Sequence, residues 1–577
     1  MLSWFRGDSM KRVFVCDFET ANNSELNKEE TWVWLAVAYE INEEKVYHIS
    51  NNIDSFIDNF LFKNPNSTIY FHNVAFDGNF LLNEIVRRGF TPEKDRKEPK
   101  TFKAVIDNMN NYYMIRITLG WNKTLKQWNT ITIYDSYKII PLAERDMAKS
   151  FKMDTLKGSI DYTKPRPRGY QPTQEEIEYC IDDTKIAGKG LKYFMELGIL
   201  NGMTIGAIAM KEYKKTCPKF DFLFPIVSKE VDDFIRSSYR GGITYANPLT
   251  RCKTIGEGMV FDANSLYPSQ MKLKPMPYGN PIYFEGHPDN RPLKECFPLY
   301  IVHIIVELEI KKHHIPTIQI KHSLSFNPTE FIKYTTEPTD MWVSNVDLEL
   351  MFQQYNIFNI EYIDGYMFRA KTGMFDAYID KWAKVKEENT GAIRQIAKLL
   401  LNNLYGKFAT NPLRVSKVPY LDSDGVLRTI QSTINEINPV YTAVGVFITA
   451  YGRQELITYA QANYDRFLYC DTDSIHITGT ETPNLVPIHE THFGYWKKEL
   501  DFVSAKYLRA KTYMECYLDE KGELRYLVKC AGLPSAIRDT IKPDDFYLGA
   551  EFKGKLARKS VRGGVILEET TFKIKED

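Results

Sequence analysis

Two carboxylates, Asp471 and Asp473, flank Thr472 in a short turn between the apolar stretches Arg466-Phe467-Leu468 and Ile475-His476-Ile477, a strand–turn–strand pattern. β-structure on both sides holds the two acids a few ångströms apart. Like charges this close repel, and a hard divalent cation with oxygen ligands is the simplest way to keep both ionised. An Asp-x-Asp pair also occurs in ordinary solvated turns, so the rest of the chain must discriminate.

At 577 residues the chain exceeds what a single core supports and predicts several domains. The 74 basic and 74 acidic residues cancel, so a nucleic-acid partner has to be argued locally and not from a global field. The cysteines (Cys16, Cys180, Cys217, Cys252, Cys296, Cys470, Cys516, Cys530) form no C-x-x-C pair. This argues against a zinc ribbon or disulfide framework and favours a reducing, cytosolic compartment. No signal-peptide run opens the sequence, and Met10 offers an alternative start. Uncharged stretches such as 437–452 carry Asn438, Pro439, Gly445 and Thr449 and read as core strands, not membrane spans.

A second acidic group lies near the N-terminus. In KRVFVCDFET, period two places Asp17 and Glu19 on one strand face. A strand over 68–71 leads into His72-Asn73-Val74-Ala75-Phe76-Asp77. Thr173 and Glu176 have capping-box spacing and open a helix on which Tyr179 and Asp183 share a face. Four acids in three elements suit two Mg²⁺ or Mn²⁺ ions in phosphodiester hydrolysis, with Tyr179 orienting water and Lys157 neutralising phosphate charge.

These pieces, D-x-E, N-x-x-F-D and Y-x-x-x-D in that order, resemble the three exonuclease motifs of family B DNA polymerases. The resemblance implies a ribonuclease H-like α/β domain with Asp17, Glu19, Asp77 and Asp183 as metal ligands. It also implies that Thr20, His72, Asn73, Phe76, Phe80, Ser136 and Tyr162 hold a frayed primer end.

Further motifs follow. Tyr239-Arg240-Gly241-Gly242 offers a ring, a cation and two small residues through which backbone can approach phosphate, and resembles the family's Y-x-G-G template contact. GMVFDANSLYP (258–268) runs from a buried strand into a turn and leaves the Ala263 carbonyl free for a metal. It resembles D-x-x-S-L-Y-P, which implies that Asp262 joins Asp471 and Asp473 and that Tyr267 sits beneath the deoxyribose. Residues 391–408 read as one helix, with an apolar face and a stripe of Arg394, Lys398, Asn402 and Tyr405 suited to a triphosphate and its base. The stripe resembles K-x-x-x-N-S-x-Y-G, with Asn403 in place of serine, and Lys386 on the same segment resembles a second triphosphate ligand. Thr449 and Arg453 resemble a T-x-x-x-R segment near template or primer, and Lys511 and Tyr513 a primer-gripping K-x-Y. Residues around Lys553, Lys555, Arg558 and Lys559 suit backbone phosphate.

Two stretches fall outside a minimal polymerase. Residues 274–373, with strands expected at 298–310 and 315–321, and a polar insert at 410–441 resemble the terminal-protein regions of the protein-primed, phage-type members of family B. The implied architecture is α/β and α+β multidomain: exonuclease (1–203), palm (204–273 and 442–530), first terminal-protein insertion (274–373), fingers (374–409), second insertion (410–441) and thumb (531–577). The implied protein is a monomeric polymerase subunit in the host-cell cytoplasm with two Mg²⁺ or Mn²⁺ ions per centre. Its partners would be DNA, dNTPs and a terminal protein primer forming a heterodimer, with no membrane. The implied reaction is processive, strand-displacing synthesis with proofreading. A primer-independent replicase and a non-catalytic nucleic-acid-binding scaffold remain as alternatives.

Overall fold

The computed structural model describes residues 12–22, 28–154, 158–319 and 331–575. The N-terminal region is built on a mixed eight-stranded sheet. The strand Val13–Thr20 lies inside it, antiparallel to Val33–Glu40 and parallel to Thr68–Phe71. Val33–Glu40 is buried along its whole length. An aromatic cluster of Phe14, Phe18, Phe56, Phe60 and Phe71 fills one side, with edge-on contacts near 5 Å. The helix Gln174–Glu196 covers the other, and a Cβ at Gly188 would come within 3.0 Å of the Tyr39 ring. The capping box is present, with Thr173 and Glu176 satisfying each other's backbone N–H groups.

The second structural centre is a five-stranded antiparallel sheet in the order Trp496–Phe502, Gly258–Ala263, Ser474–Thr478, Phe467–Asp471, Thr244–Ala246. Its backing corrects the expected strands at 437–452: Thr442–Ala462 is a helix. The run is rich in β-branched and aromatic residues, and most of its sides are buried, so no amphipathic period betrays the helix. A Cβ at Gly445 would lie 2.6 Å from that of Ala409, so the glycine permits close packing there. Among the described residues no helix is long and apolar enough to cross a membrane.

The expected single helix at 391–408 is two, Gly391–Asn403 and Tyr405–Phe408, interrupted at Leu404. Lys386 lies on a separate helix, Asp376–Glu388, and not on the segment that carries Lys398. The lysine-bearing stretch 201–238 contains the helix Ile205–Thr216 and contributes Tyr213, Phe220 and Phe224 to a shared aromatic core with Phe375 and Phe408.

The strands Met276–Glu285, Tyr355–Lys371, Leu299–Ile310 and Thr339–Ser344 form a four-stranded sheet with its own apolar core around Val302, Ile304, Met341 and Met367. The strand Leu299–Ile310 is present; 315–318 is not a strand, Gln319 makes only an isolated bridge, and 320–321 lie outside the described residues. Tyr355 Oη instead accepts from the N–H groups of Thr317 and Ile318. The insert at 410–441 is the hairpin Leu413–Leu421/Leu427–Glu436, whose Leu421 and Leu427 pack into the N-terminal core. Its tip bridges, Val426 to Arg562, onto the C-terminal hairpin Glu551–Val561/Gly564–Lys573. The tip of that second hairpin docks in turn on the N-terminal region. Thr31 N–H donates to the Arg562 carbonyl and Arg562 N–H to that of Glu29.

Candidate active sites

Asp262 pairs across the sheet with Ser474, and Ala263 N–H donates to the Asp473 carbonyl at 2.7 Å. Two acids far apart in sequence therefore stand side by side. Thr472 takes φ 57°, and its N–H is anchored on the Ile243 carbonyl at 2.7 Å. Asp471 is saturated by protein donors: Lys511 Nζ at 2.8 and 3.0 Å, Thr244 Oγ1 at 2.9 Å, Thr472 Oγ1 at 3.1 Å and Tyr469 Oη at 3.3 Å. Asp262 and Asp473 are left crowded. Burial, then Asp473, pushes Asp262 up to about 7. Burial, then Asp471, pushes Asp473 up to about 6. An all-carboxylate pair that resists ionisation fits a hard divalent cation.

One cleft of about 740 Å³ opens on this pair and is lined by Ala263, Tyr267, Lys386, Arg394, Lys398, Asn402 and Tyr405. Burial, then Arg394 and Lys398, lowers the Lys386 pKa. The rings of Tyr267 and Tyr405 meet at 4.2 Å. Asn403 Nδ2 caps the Leu399 carbonyl at 2.8 Å. Gly242 abuts the acidic turn: a Cβ there would lie 2.7 Å from Thr472 Oγ1 and 3.0 Å from Tyr267 Oη, whereas Gly241 faces open space. Lys497, which no motif predicted, lines the same cleft with Nζ 4.0 Å from Asp262 Oδ2. A second cleft holds Asp471, Lys511 and Tyr513 together with Glu499. Lys511 sits on a turn at φ 55° and not on the strand that carries Tyr513.

Several expected nucleic-acid contacts lie in the interior instead. Arg453 is buried, paired to Asp347 at 2.9 and 2.8 Å and donating to the carbonyls of Arg240 and Gly241. Arg240 is buried as well. It donates to the Ser238 and Trp342 carbonyls, and burial lowers its pKa to about 10. Thr449 is buried and donates within its own helix. Tyr239 packs partly buried against the central core. Arg558, by contrast, is exposed, with its guanidinium reaching the Ala75 carbonyl at 2.9 Å.

At the N-terminal site, single ligand atoms of Asp17, Glu19 and Cys180 all lie within 4.8 Å of one another. Asp77, Asp183 and Glu19 are buried. Burial and then Asp17 raise the Asp77 pKa well above the carboxylate range. Burial and the neighbouring acids Asp17, Glu19 and Asp183 hold the Cys180 thiol protonated, and it donates to Asp17 Oδ2 at 3.6 Å. The oxygen donors thus remain the fit for a hard cation. Tyr179 and Tyr162 join hydroxyls at 3.1 Å. Lys157 lies outside the described residues. His72 and Asn73 line an adjoining cleft with Glu144, a residue the motifs missed. Asn73 takes φ 79° and donates its N–H to Asp135 at 2.9 Å. Ser136 is buried and bonds His72 at 3.0 Å, Phe80 and Thr20 are also buried, and Phe76 packs half-buried beside Phe80. Neither Ser136 nor Phe80 lines that cleft: Ser136 sits beneath His72, and Phe80 packs against Phe76 and Gly564.

An acidic pair on an antiparallel sheet, facing a cationic two-helix cleft, with a separate acidic site on a mixed sheet, defines a nucleotidyltransferase with an exonuclease domain. The chain belongs to the family described as DNA polymerase type B, organellar and viral, whose sequence profile matches residues 58–166 and 162–490. It is a DNA-directed DNA polymerase with 3′–5′ exonuclease. It is 43% identical to the DNA polymerase of Bacillus phage phi29 over 98% of this chain and 99% of that one, and 34% identical to that of Streptococcus phage Cp-1 over 97% and 98%. The solved phi29 DNA polymerase with primer-template DNA and incoming nucleotide superposes with a TM-score of 0.91 at 43% identity, covering 98% of this chain and 100% of that chain.

Proposed function

We propose that this polymerase replicates a linear, protein-primed genome, adding the first nucleotide to a hydroxyl of a terminal protein and then extending it with strand displacement and proofreading. The observation that carries this reading is the juxtaposition of Asp262 and Asp473 in a sheet flanked by two insertions, 274–373 and 410–441, that a minimal polymerase lacks. Asp262, Asp473 and the Ala263 carbonyl at one centre, and Asp17, Glu19, Asp77 and Asp183 at the other, would each hold two Mg²⁺ or Mn²⁺ ions, which when bound would supply Lewis-acid charge to the reacting phosphate.

Lys386 and Lys398 bind the triphosphate, Asn402 and Tyr405 meet the base pair, and Tyr267 closes the sugar side against a 2′-hydroxyl. Lys511 and Tyr513 grip the primer, and Lys511 holds Asp471 until it arrives. In the N-terminal domain Tyr179 orients the attacking water, Lys157 neutralises phosphate, and His72, Asn73 and Phe76 seat the unpaired 3′ end. The contact from the 410–441 hairpin to the C-terminal hairpin at Arg562 supports a closed ring around product duplex, the basis for processivity. A labelled-dATP assay with and without the cognate terminal protein tests the reading. A covalent protein–dAMP adduct that depends on the terminal protein is expected, and free de novo products would overturn protein priming.

A further inference from the structure

The nucleotide cleft contains a cation that comes from the opposite wall to the others. Lys386, Arg394 and Lys398 descend from the helices Asp376–Glu388 and Gly391–Asn403. Lys497 rises from the strand Trp496–Phe502, directly across the sheet from Asp262. All four line the same cleft, and Arg394, Lys398 and Lys497 each depress the Lys386 pKa, after burial. Cations gathered this closely repel one another. The acids lining the same cleft are Asp262, Asp473, Glu387 and Glu490. Glu387 offsets part of the repulsion at Lys386, while Asp262 and Asp473 are the proposed seat of divalent ions and cannot balance the cations as well. An arrangement of this kind is relieved by a polyanion in the space between.

We propose that Lys497 is a further triphosphate-binding residue, holding the β- and γ-phosphates of the incoming nucleotide, and the pyrophosphate they become, from the sheet side. The proposal rests on reading this cleft as the nucleotide site. Its chemistry differs from that of the helical lysines in one respect. Lys497 shares a sheet with Asp262, so its grip does not depend on where the two helices stand. It therefore holds pyrophosphate before release and positions it for the reverse reaction. There, a pyrophosphate oxygen attacks the terminal phosphodiester phosphorus, the P–O bond to the preceding nucleotide breaks, and that 3′ oxygen leaves and takes up a proton. The adjacent Lys498 is turned elsewhere, paired with Asp501 at 2.7 Å, and provides a matched control.

Single-turnover extension and pyrophosphorolysis on primer-template DNA test this in the full-length protein. Lys497→Ala is expected to raise the dNTP KM and the pyrophosphate KM by about tenfold each, the scale of one charged hydrogen bond, with a smaller change in kcat. Lys497→Arg should recover most of both, and Lys498→Ala should match the parent. Unchanged KM values for Lys497→Ala, or a change confined to the Mg²⁺ requirement, overturn the proposal and leave Lys497 as a neutralising partner of Asp262. Lys398→Ala separates the two levels: if it raises KM while Lys497→Ala does not, only the present proposal fails. If neither does, the assignment of the cleft fails.

Discussion

The two acidic centres reach similar chemistry from opposite surroundings. At the synthetic centre the protein saturates one acid, Asp471, with Lys511, Thr244, Thr472 and Tyr469, and leaves Asp262 and Asp473 facing two open clefts. At the excision centre Glu19, Asp77 and Asp183 are nearly inaccessible and Asp17 is held by a neutral thiol. On the proposed reading, the open first centre admits a duplex end and a nucleotide, and the enclosed second centre admits a single strand.

The largest test of this separation removes one centre at a time. Asp473→Ala should reduce extension and terminal-protein deoxynucleotidylation by about a thousandfold or more, the several kcal/mol that carboxylate-held metal supplies, while 3′–5′ degradation persists. Asp17→Ala combined with Asp77→Ala should do the converse. Concerted loss of both activities in a folded variant would show that the centres are not independent.

Arg453 sharpens the comparison from beneath the synthetic centre. It ties Asp347, on the helix Asn345–Gln354, to the carbonyls of Arg240 and Gly241 with no exposed side-chain surface of its own. Breaking a buried pair leaves an uncompensated charge, so Arg453→Ala should cost about 3–5 kcal/mol in denaturant unfolding. A variant with parental stability but weaker, less salt-dependent DNA binding would return Arg453 to the role its motif suggested.

That reversal shows what the sequence could convey. Asp471, Asp473 and the strand–turn–strand around them were legible because turn chemistry is local, whereas Asp262, on a distant strand, was joined to them only through the motif resemblance. Asp17 and Glu19, and Tyr179 and Asp183 with their capping box, were legible because strand and helix periods are local as well. Motif letters could not say which side of a helix is covered, so Arg240, Thr449, Arg453, Ser136 and Phe80 read as surface contacts although packing encloses them. The helix Thr442–Ala462 was hidden because burial on most sides erases the 3.6-residue period. The break at Leu404 and the separation of Lys386 from Lys398 depend on tertiary packing. Lys497 belongs to no motif, and only the register opposite Asp262 brings it to the cleft.

The crowded pair also makes a pH prediction of smaller size. Asp262 at about 7 and Asp473 at about 6 lie above the unfolded carboxylate range, so the folded state binds these protons more tightly than the unfolded state does. Their contribution is fully present below about pH 4 and is lost as pH rises through 6 to 7. Without divalent ions, Asp262→Asn should therefore gain on the parent by about 1–3 kcal/mol between pH 5 and pH 8. Added Mg²⁺ should narrow that gap by stabilising the parent above pH 7. Urea unfolding at the two pH values measures it, and a gap unchanged by pH would mean that Asp262 is not strained by its neighbours.

The finest test concerns the contact of the Y-x-G-G turn with the acidic turn. Gly242 has no room for a methyl group: Thr472 Oγ1 would lie at 2.7 Å, Thr472 Cγ2 at 2.9 Å and Tyr267 Oη at 3.0 Å. Overpacking here costs about 1–3 kcal/mol and falls on Thr472, whose hydroxyl bonds Asp471 at 3.1 Å. Gly242→Ala should then slow nucleotide addition by about tenfold and leave excision at the parental rate, since Asp17 and Glu19 lie on a different sheet and Asp77 and Asp183 on helices in the N-terminal region. The double variant with Thr472→Ala removes both clashing Thr472 atoms, so a double-mutant cycle should show positive coupling between the two positions. Additive losses would mean that Gly242 acts through backbone freedom, and the mechanical link between the two turns would have to be abandoned.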